Sequence, residues 1–319
     1  MTDLKIASVQ FENATGDKAR NLATIRHFAQ QAAAQNCHVV AFHECCIPSY
    51  TFARRLSKAQ LLDIAEPVPD GQSVQTLIQI ARENNITILA GLFERDDQDR
   101  IYNTYVCVNG EQGLLARFRK LHPFISTHLS AGDSYVTFDL RGWKCGILIC
   151  YDNNVVENVR ATALLGAQII FMPHVTMCTP SPRPGAGFVD SALWARRETD
   201  PTSLRAEFDG LKGRKWLMKW LPARAYDNGV YVVFSNPVGV DDDQVKNGCA
   251  MVLDPFGDVV DECRVLGDGM AVAVCTREKL ERAGGHRYRM ARRPELYKEI
   301  LGREIKSRQS VSWIAGDEK

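Results

Sequence analysis

KCGILICYDNNVVENVRATALLGAQIIFMP, residues 144–173, decides how the rest of the chain is read. Two apolar runs, KCGILIC (144–150) and QIIFMP (168–173), flank a helical stretch at 155–165, so the segment reads strand, helix, strand. Cys150 stands where the first run ends and YDNN begins. A thiol at such a point is either a small buried hydrophobe or a nucleophile, and its neighbours must decide.

The same alternation continues outward in both directions. Short β-rich runs lie at 4–11 (LKIASVQF), 38–44 (HVVAFHE), 86–94 (ITILAGLFE), 101–108 (IYNTYVCV), 230–236 (VYVVFSN), 250–255 (AMVLDP) and 270–275 (MAVAVC). Helical stretches near 18–35, 72–84 and 214–227 fall between some of them, which predicts an α/β layered fold. Runs joined by short turns, as at ERDDQDRI (94–101) and DPFGD (254–258), make part of the sheet structure antiparallel. So many strands fit two stacked sheets better than one.

Composition excludes several function classes. Lys plus Arg is 39 against 38 for Asp plus Glu, so no bulk charge draws the chain to nucleic acid or an anionic membrane, and a small-molecule partner is expected. No apolar run reaches the roughly 20 residues of a membrane helix, and MTDLKIASVQ lacks the layout of a signal peptide, so a cytoplasmic protein is expected. The 10 cysteines show no C-x-x-C pair and no metal spacing, and no phosphate loop or dinucleotide fingerprint occurs. Neither a metal nor a cofactor is expected. One compositional break, 177–213, is rich in Pro, Gly and charge, and reads as a loop that is either a lid or a solvated insertion.

Two further strand ends carry charge. HVVAFHECC puts Glu44 at the end of an apolar run, and LLARFRKLHPF puts Lys120 after a half-apolar one. Each alone could be a cap or a surface ion. With Cys150 they form a chemical set, because a thiol needs a base and a tetrahedral intermediate needs a donor for its oxygen.

The segments AFHECCIPSY, FRKLHPF and GILICYDNNVVENVRATALLGAQIIFMPH resemble the Glu, Lys and Cys motifs of the nitrilase superfamily, the carbon-nitrogen hydrolases. KIASVQF, LPARAYDNGVYVVFSNPVG and GCAMVLDPFGDVV resemble that family's remaining segments in the same order, so the similarity covers most of the chain. The resemblance implies an α-β-β-α sandwich, with a hydrolase domain over 1–280 and a C-terminal extension over 281–319 that contacts a partner subunit in a homodimer or higher oligomer. The basic stretch RYRMARRPELY in that extension then reads as an arm on the partner or in solvent. It also implies Cys150 as nucleophile, Glu44 as base and acid, and Lys120 with the Tyr151 N–H as the oxyanion site. Asp152, Glu157 and Arg160 would be structural, and the helix after Cys150 would favour its thiolate. Tyr50, His174 and Thr176 fall where pocket residues are expected, though a lone His after Pro is more often structural. CYD is closer to the amidase and carbamoylase branches than to the CWE pattern of true nitrilases. An amide or N-carbamoyl substrate follows, with a nitrile as the alternative.

One departure stands out. The family carries a second Glu between the Lys and Cys motifs, and KLHPFISTHLSAGD (120–133) has no carboxylate before Asp133. Counting back from Gly132 puts Thr127 at that place, and counting forward from Lys120 puts His128 there. The chain is then either a cysteine hydrolase with a different substrate contact or a catalytically weakened relative that acts as a binding protein.

Overall fold

The structure, a computed structural model, describes residues 2–179, 181 and 184–303. Its strands in chain order are β1 (Leu4–Gln10), β2 (Val39–Ala41), β3 (Thr87–Arg95), β4 (Ile101–Asn109), β5 (Gly113–Arg119), β6 (Thr137–Leu140), β7 (Trp143–Ile147), β8 (Ile169–Pro173), β9 (Tyr231–Ser235), β10 (Val238–Asp241), β11 (Gln244–Asn247), β12 (Met251–Leu253), β13 (Val259–Glu262) and β14 (Gly269–Cys275). Helices α1 (Lys18–Ala34), α2 (Lys58–Ile64), α3 (Gln72–Asn84) and α4 (Val156–Leu164) are followed by α5 (Ser191–Ala195), α6 (Pro201–Asp209), α7 (Arg214–Leu217) and α8 (Leu221–Tyr226). The C-terminal region adds α9 (Arg277–Arg282), α10 (Gly285–Met290) and α11 (Pro294–Leu301).

Two mixed sheets result, ordered β14-β1-β2-β3-β4-β5 and β13-β12-β9-β8-β7-β6, with β10-β11 as a separate hairpin. β1, β2 and β3 pair in parallel, as do β7, β8 and β9, while the outer strands are antiparallel. The period of a strand explains the layering. Leu4 and Ile6 of β1 join the core between the sheets, whereas Ala7 and Val9 join a second core under α1 and α3. Ser8, on the inner face, bonds across the sandwich to the Phe234 carbonyl at 2.6 Å and the Ser235 hydroxyl at 2.8 Å. A polar residue in that layer is therefore satisfied by the opposite sheet. The two sheets flanked by helices are the expected α-β-β-α sandwich, and both expected hairpin turns, at 94–101 and 254–258, join antiparallel strands.

Several elements differ from expectation. The helix expected over 214–227 is two helices, because Pro222 in the first turn of α8 has no N–H to continue α7. The segment 177–213 is not a bare loop. Asp190 caps α5 and Asp200 caps α6 with Pro201 behind it, and Trp194, Leu204 and Phe208 are buried in the main core. It therefore belongs to the fold's interior as well as to its surface. Helix α10 packs on the body of the chain, through the Arg289 guanidinium donating to the Ala163 carbonyl at 2.7 Å and a Tyr226–Tyr288 hydroxyl contact of 3.2 Å, whereas α11 has no buried residue. The end of the expected extension, 304–319, lies outside the described residues.

Candidate active site

Parallel strands leave their C-terminal ends on one side of a sheet, where loops can gather functional groups. Glu44 follows β2 and Cys150 follows β7. Lys120 follows β5, which runs parallel to β3 because two antiparallel steps separate them. The sandwich thus brings both sheets' strand ends to one place. The chain turns sharply there: Cys45 and Cys150 both have left-handed backbones, with φ of 45° and 48°. Such conformations are uncommon outside glycine and concentrate at functional sites. Gly91 of β3 makes room for the first turn, since a Cβ there would lie 2.3 Å from the Cys45 nitrogen.

Glu44 is held from three sides. Its Oε1 accepts from Lys120 Nζ at 2.6 Å and from Asn103 Nδ2 at 2.6 Å, and its Oε2 accepts from the Val175 N–H at 3.0 Å. Both partners of the ion pair are fully buried. Burial would lower the Lys120 pKa, but Glu44, then Tyr50, Cys150 and Asp152, override it and hold it well above the usual lysine value. Lys120 remains an ammonium. Asn103 braces both partners, because its carbonyl also accepts the Lys120 backbone N–H at 2.8 Å and the Cys45 thiol donates to its Oδ1 at 3.4 Å.

The Cys150 thiol donates to the Val175 carbonyl across a long 3.9 Å contact and lies in hydrogen-bonding reach of Glu44. Burial and the Glu44 charge push its pKa up to about 12, against the pull of Lys120 and Val175. The thiol is neutral at rest, so it must lose its proton as it attacks. The expected help from a following helix is not found: Cys150 opens a short 3-10 turn over 150–153 and α4 begins only at Val156. Asp152 instead fixes that turn to the lysine loop, accepting from the Ile149, Leu121 and His122 N–H groups at 3.3, 3.2 and 2.9 Å and from His122 Nδ1 at 2.8 Å. Arg224 of α8 adds bonds of 2.8 and 3.0 Å to the Asn153 and Asn154 carbonyls. Glu157 is exposed in the first turn of α4, while Arg160 has a buried Nη1 without a partner among the described residues.

The other sequence candidates separate into two groups. The Tyr50 ring lies 5.3 Å from Lys120 Nζ, and its buried hydroxyl has no partner among the described residues. Tyr151 is 39 % exposed beside Phe124, and its backbone N–H has no acceptor among the described residues. Thr176 is tied through its backbone N–H to Asn236 at 2.8 Å. His174 is buried against Trp220 and Phe234, 3.1 Å from the Asn153 amide, and burial drives its pKa well below the usual value. It is a neutral packing residue between the strand ends. Thr127 and His128 are exposed in a surface turn, where the His128 N–H donates to the Ser126 hydroxyl at 3.3 Å. Neither count brings a side chain to Lys120, whose open side faces the Phe124 ring at 4.9 Å.

Asn103, Phe124 and the buried Lys246 were not singled out from sequence. Asn103 had one signal, a polar residue at a core-facing position of an apolar strand. Among the described residues no three His, Cys, Asp or Glu side chains gather as a metal site. A shallow cleft of about 420 Å³ lined by Gly166, Gln168, Gly229, Leu280, Glu281, His286 and Arg289 lies at the other ends of β8 and β9, and holds none of the candidate residues.

Comparison with known proteins agrees with this geometry. The family model described as carbon-nitrogen hydrolase matches residues 5–284. An (R)-stereoselective amidase from Pseudomonas sp. is 32% identical over 262 residues, covering 81% of this chain and 80% of that one. The omega-amidase NIT2 of Homo sapiens is 27% identical over 272 residues, covering 82% and 84%. Among solved structures, an amidase from Nesterenkonia sp. AN1 with acrylamide added at its active-site cysteine superposes with a TM-score of 0.69 at 21% identity, covering 93% of this chain and 100% of that one. Saccharomyces cerevisiae Nit3, a nitrilase-superfamily member, gives 0.67 at 25% identity over 88% and 92%. With its sandwich fold and with its Glu, Lys and Cys motifs meeting at one set of strand ends, this chain belongs to the carbon-nitrogen hydrolase family.

Proposed function

We propose that the protein hydrolyses the carbon–nitrogen bond of a small amide through a thioester on Cys150. The observation that carries this reading is the buried Glu44 carboxylate, held by Lys120, Asn103 and Val175 beside the Cys150 thiol. As the sulfur attacks the carbonyl carbon, the thiol proton passes to Glu44. The oxygen takes the negative charge, facing the Lys120 ammonium and the Tyr151 N–H. Collapse breaks the carbon–nitrogen bond, and Glu44 returns its proton to the departing amine. Water then attacks the thioester, giving its proton to Glu44 and releasing a carboxylic acid and the thiol.

The relatives named as amidases support an amide over a nitrile, as does the tyrosine after Cys150. Lys120 pairs with one carboxylate only among the described residues, which favours slow turnover rather than loss of activity. A panel of small amides, N-carbamoyl compounds and nitriles, assayed for ammonia and acid, tests the reading. Amides should be turned over and Cys150→Ala should abolish the reaction; turnover of nitriles alone, or of no compound, would refute it.

The same reading includes a cytoplasmic homodimer. All ten cysteines are buried thiols, which suits a reducing compartment. No helix of the described residues is long and apolar enough to cross a membrane. Val156 and Leu164 of α4, Leu165 at its end, Tyr226 of α8 and Met290 of α10 are exposed apolar groups that a second subunit would cover. Sedimentation of the purified chain as a monomer at micromolar concentration would remove that part of the proposal.

A further inference from the structure

A second buried carboxylate stands behind the site. Glu94, near the end of β3, is 1% exposed and takes no part in the Glu44, Lys120 and Cys150 set. Its Oε2 accepts from the Thr104 hydroxyl of β4 at 2.7 Å and from Arg119 Nε of β5 at 3.2 Å. Its Oε1 accepts from Arg119 Nη2 at 2.5 Å and from Arg117 Nη1 at 3.2 Å. The Arg119 guanidinium also lies 3.7 Å from the centre of the Tyr102 ring. One carboxylate thereby ties three adjacent strands together.

Strand pairing sets this cluster back to back with the reaction site. Glu94 lies opposite Tyr102, and Thr104 lies opposite Arg119, so these side chains share one face of the sheet. Asn103, between Tyr102 and Thr104, points to the other face, where its amide meets Glu44. Arg119 is the last residue of β5, and Lys120 follows it. The Lys120 N–H donates to the Asn103 carbonyl at 2.8 Å, and its carbonyl accepts from the Gly132 N–H at 2.8 Å. The two residues gripped by Glu94, Thr104 and Arg119, are therefore the chain neighbours of the two that grip Glu44.

Strand β5 needs such a hold. It ends its sheet, with β4 as its only neighbour there, and the β4–β5 pairing is interrupted by a register shift at Cys107 and Val108. A slip of one residue would turn each β5 side chain to the opposite face and carry Lys120 away from Glu44. Peptide groups are alike at every step, so ladder bonds alone do not choose the register. Side chains must choose it. A buried carboxylate forked onto a guanidinium adds little net stability over apolar packing, but its two parallel bonds are exacting in geometry. The cluster is built to fix a position.

We propose that Glu94 is a positioning residue for the reaction, which by gripping Arg119 and Thr104 holds β5 in the register that delivers the Lys120 ammonium to Glu44 and the oxyanion. This inference rests on the amide-hydrolase reading. Glu94 touches neither substrate nor the reacting atoms and acts through Lys120.

The test measures amide turnover by the wild type, Glu94→Gln, Lys120→Met and the double variant, with thermal melting of each as a check on folding. Glu94→Gln should lower kcat about tenfold or more, because misplacement near the reacting atoms acts on the rate. KM should change little. Added to Lys120→Met, the same substitution should cost nothing further, since a residue that acts through Lys120 has no effect once Lys120 is gone. Losses that multiply in the double variant would overturn the inference, as would a wild-type kcat in Glu94→Gln. If Glu94→Gln does not fold, Arg119→Met takes its place with the same expected pattern, since it sits at a partly exposed position and leaves Arg117 and Thr104 on Glu94. If the wild type cleaves no amide, the hydrolase reading fails, and crystallography of the same variants decides the positioning role separately. The Lys120 ammonium should then lie about 1 Å or more from its wild-type place, the scale of displacement that matters for rate. An ammonium that has not moved refutes the inference whatever the activity.

Discussion

Lys120 and Lys246 are both buried, but their charges are treated in opposite ways. Lys120 has a carboxylate at 2.6 Å, and Asn103 braces both members of the pair. Lys246 has an amide oxygen and a peptide carbonyl. The first charge is closed within the protein and is positioned before substrate arrives. The second is open. In this account the closed lysine serves the reaction, and the open one stands outside it.

The largest break of that comparison removes the closed partner. Lys120→Met should cost about 10²–10³ in kcat on every amide, the range for losing one oxyanion donor. It should also destabilise the fold by about 3–5 kcal/mol, because Glu44 is left buried and unpaired. Denaturant unfolding and the amide turnover rate together check this. A loss of both sharpens the contrast with Lys246, whereas a loss of stability alone would place Lys120 outside the reaction as well.

A second break acts on the segment packed beside the β10–β11 hairpin. Phe208 is buried in the segment whose α5 packs on the β10–β11 hairpin. Phe208→Ala should cost about 3–5 kcal/mol of stability, as large aromatic deletions in cores do. A melting temperature unchanged within a degree would show that 177–213 is a surface appendage after all.

Asn103→Ala is a smaller perturbation. It removes a hydrogen bond to a charged carboxylate, worth about 1.5–3 kcal/mol, and frees Glu44 to shift. Misplacement of about 1 Å can cost about a hundredfold in rate, so kcat should fall by up to that factor. Asn103→Asp should not rescue it, because a second carboxylate would then face Glu44. A rate equal to the wild type would remove Asn103 from the positioning network.

The smallest effect comes from pH, which distinguishes the two lysines by the sign of their pKa displacement. The folded pKa of Lys246 lies below the ordinary lysine value of 10.5, because burial outweighs Asp241, Cys178, Cys150 and Asp243. That of Lys120 lies above it, because Glu44, Tyr50, Cys150 and Asp152 together outweigh burial. In the window below 10.5 the unfolded chain still holds the Lys246 proton after the fold has released it, so this group makes stability rise with pH there. Lys120 stays charged through that window. The unfolding free energy of the wild type relative to Lys246→Met should therefore grow as pH rises toward 10.5. A difference that stays constant would mean that burial does not lower the Lys246 pKa.

What the sequence made legible follows from what each residue's surroundings demand. Glu44, Lys120 and Cys150 stood out because charge and thiol at the ends of apolar runs conflict with a purely structural reading, and the structure brings all three together. The helices inside 177–213 are hidden in the sequence by its Pro and Gly content, although Asp190 and the Asp200–Pro201 pair mark their starts by capping, a local signal. Thr127 and His128 came from counting along a loop whose backbone path sequence alone does not fix. Lys246 left no trace: in VDDDQVKNG it looks like one charge of a polar hairpin, and only the fold shows that this hairpin is buried.

The central claim is that Cys150 carries the acyl group while Glu44 and Lys120 handle the proton and the oxyanion. Intact-mass spectrometry of protein quenched in acid during turnover of an amide tests it most directly. The account predicts a mass increase equal to one acyl group, mapped by peptide digestion to the segment bearing Cys150 and absent from Cys150→Ala protein. Retained turnover in Cys150→Ala, or an acyl group mapped to Cys45 or Cys145 instead, would contradict it.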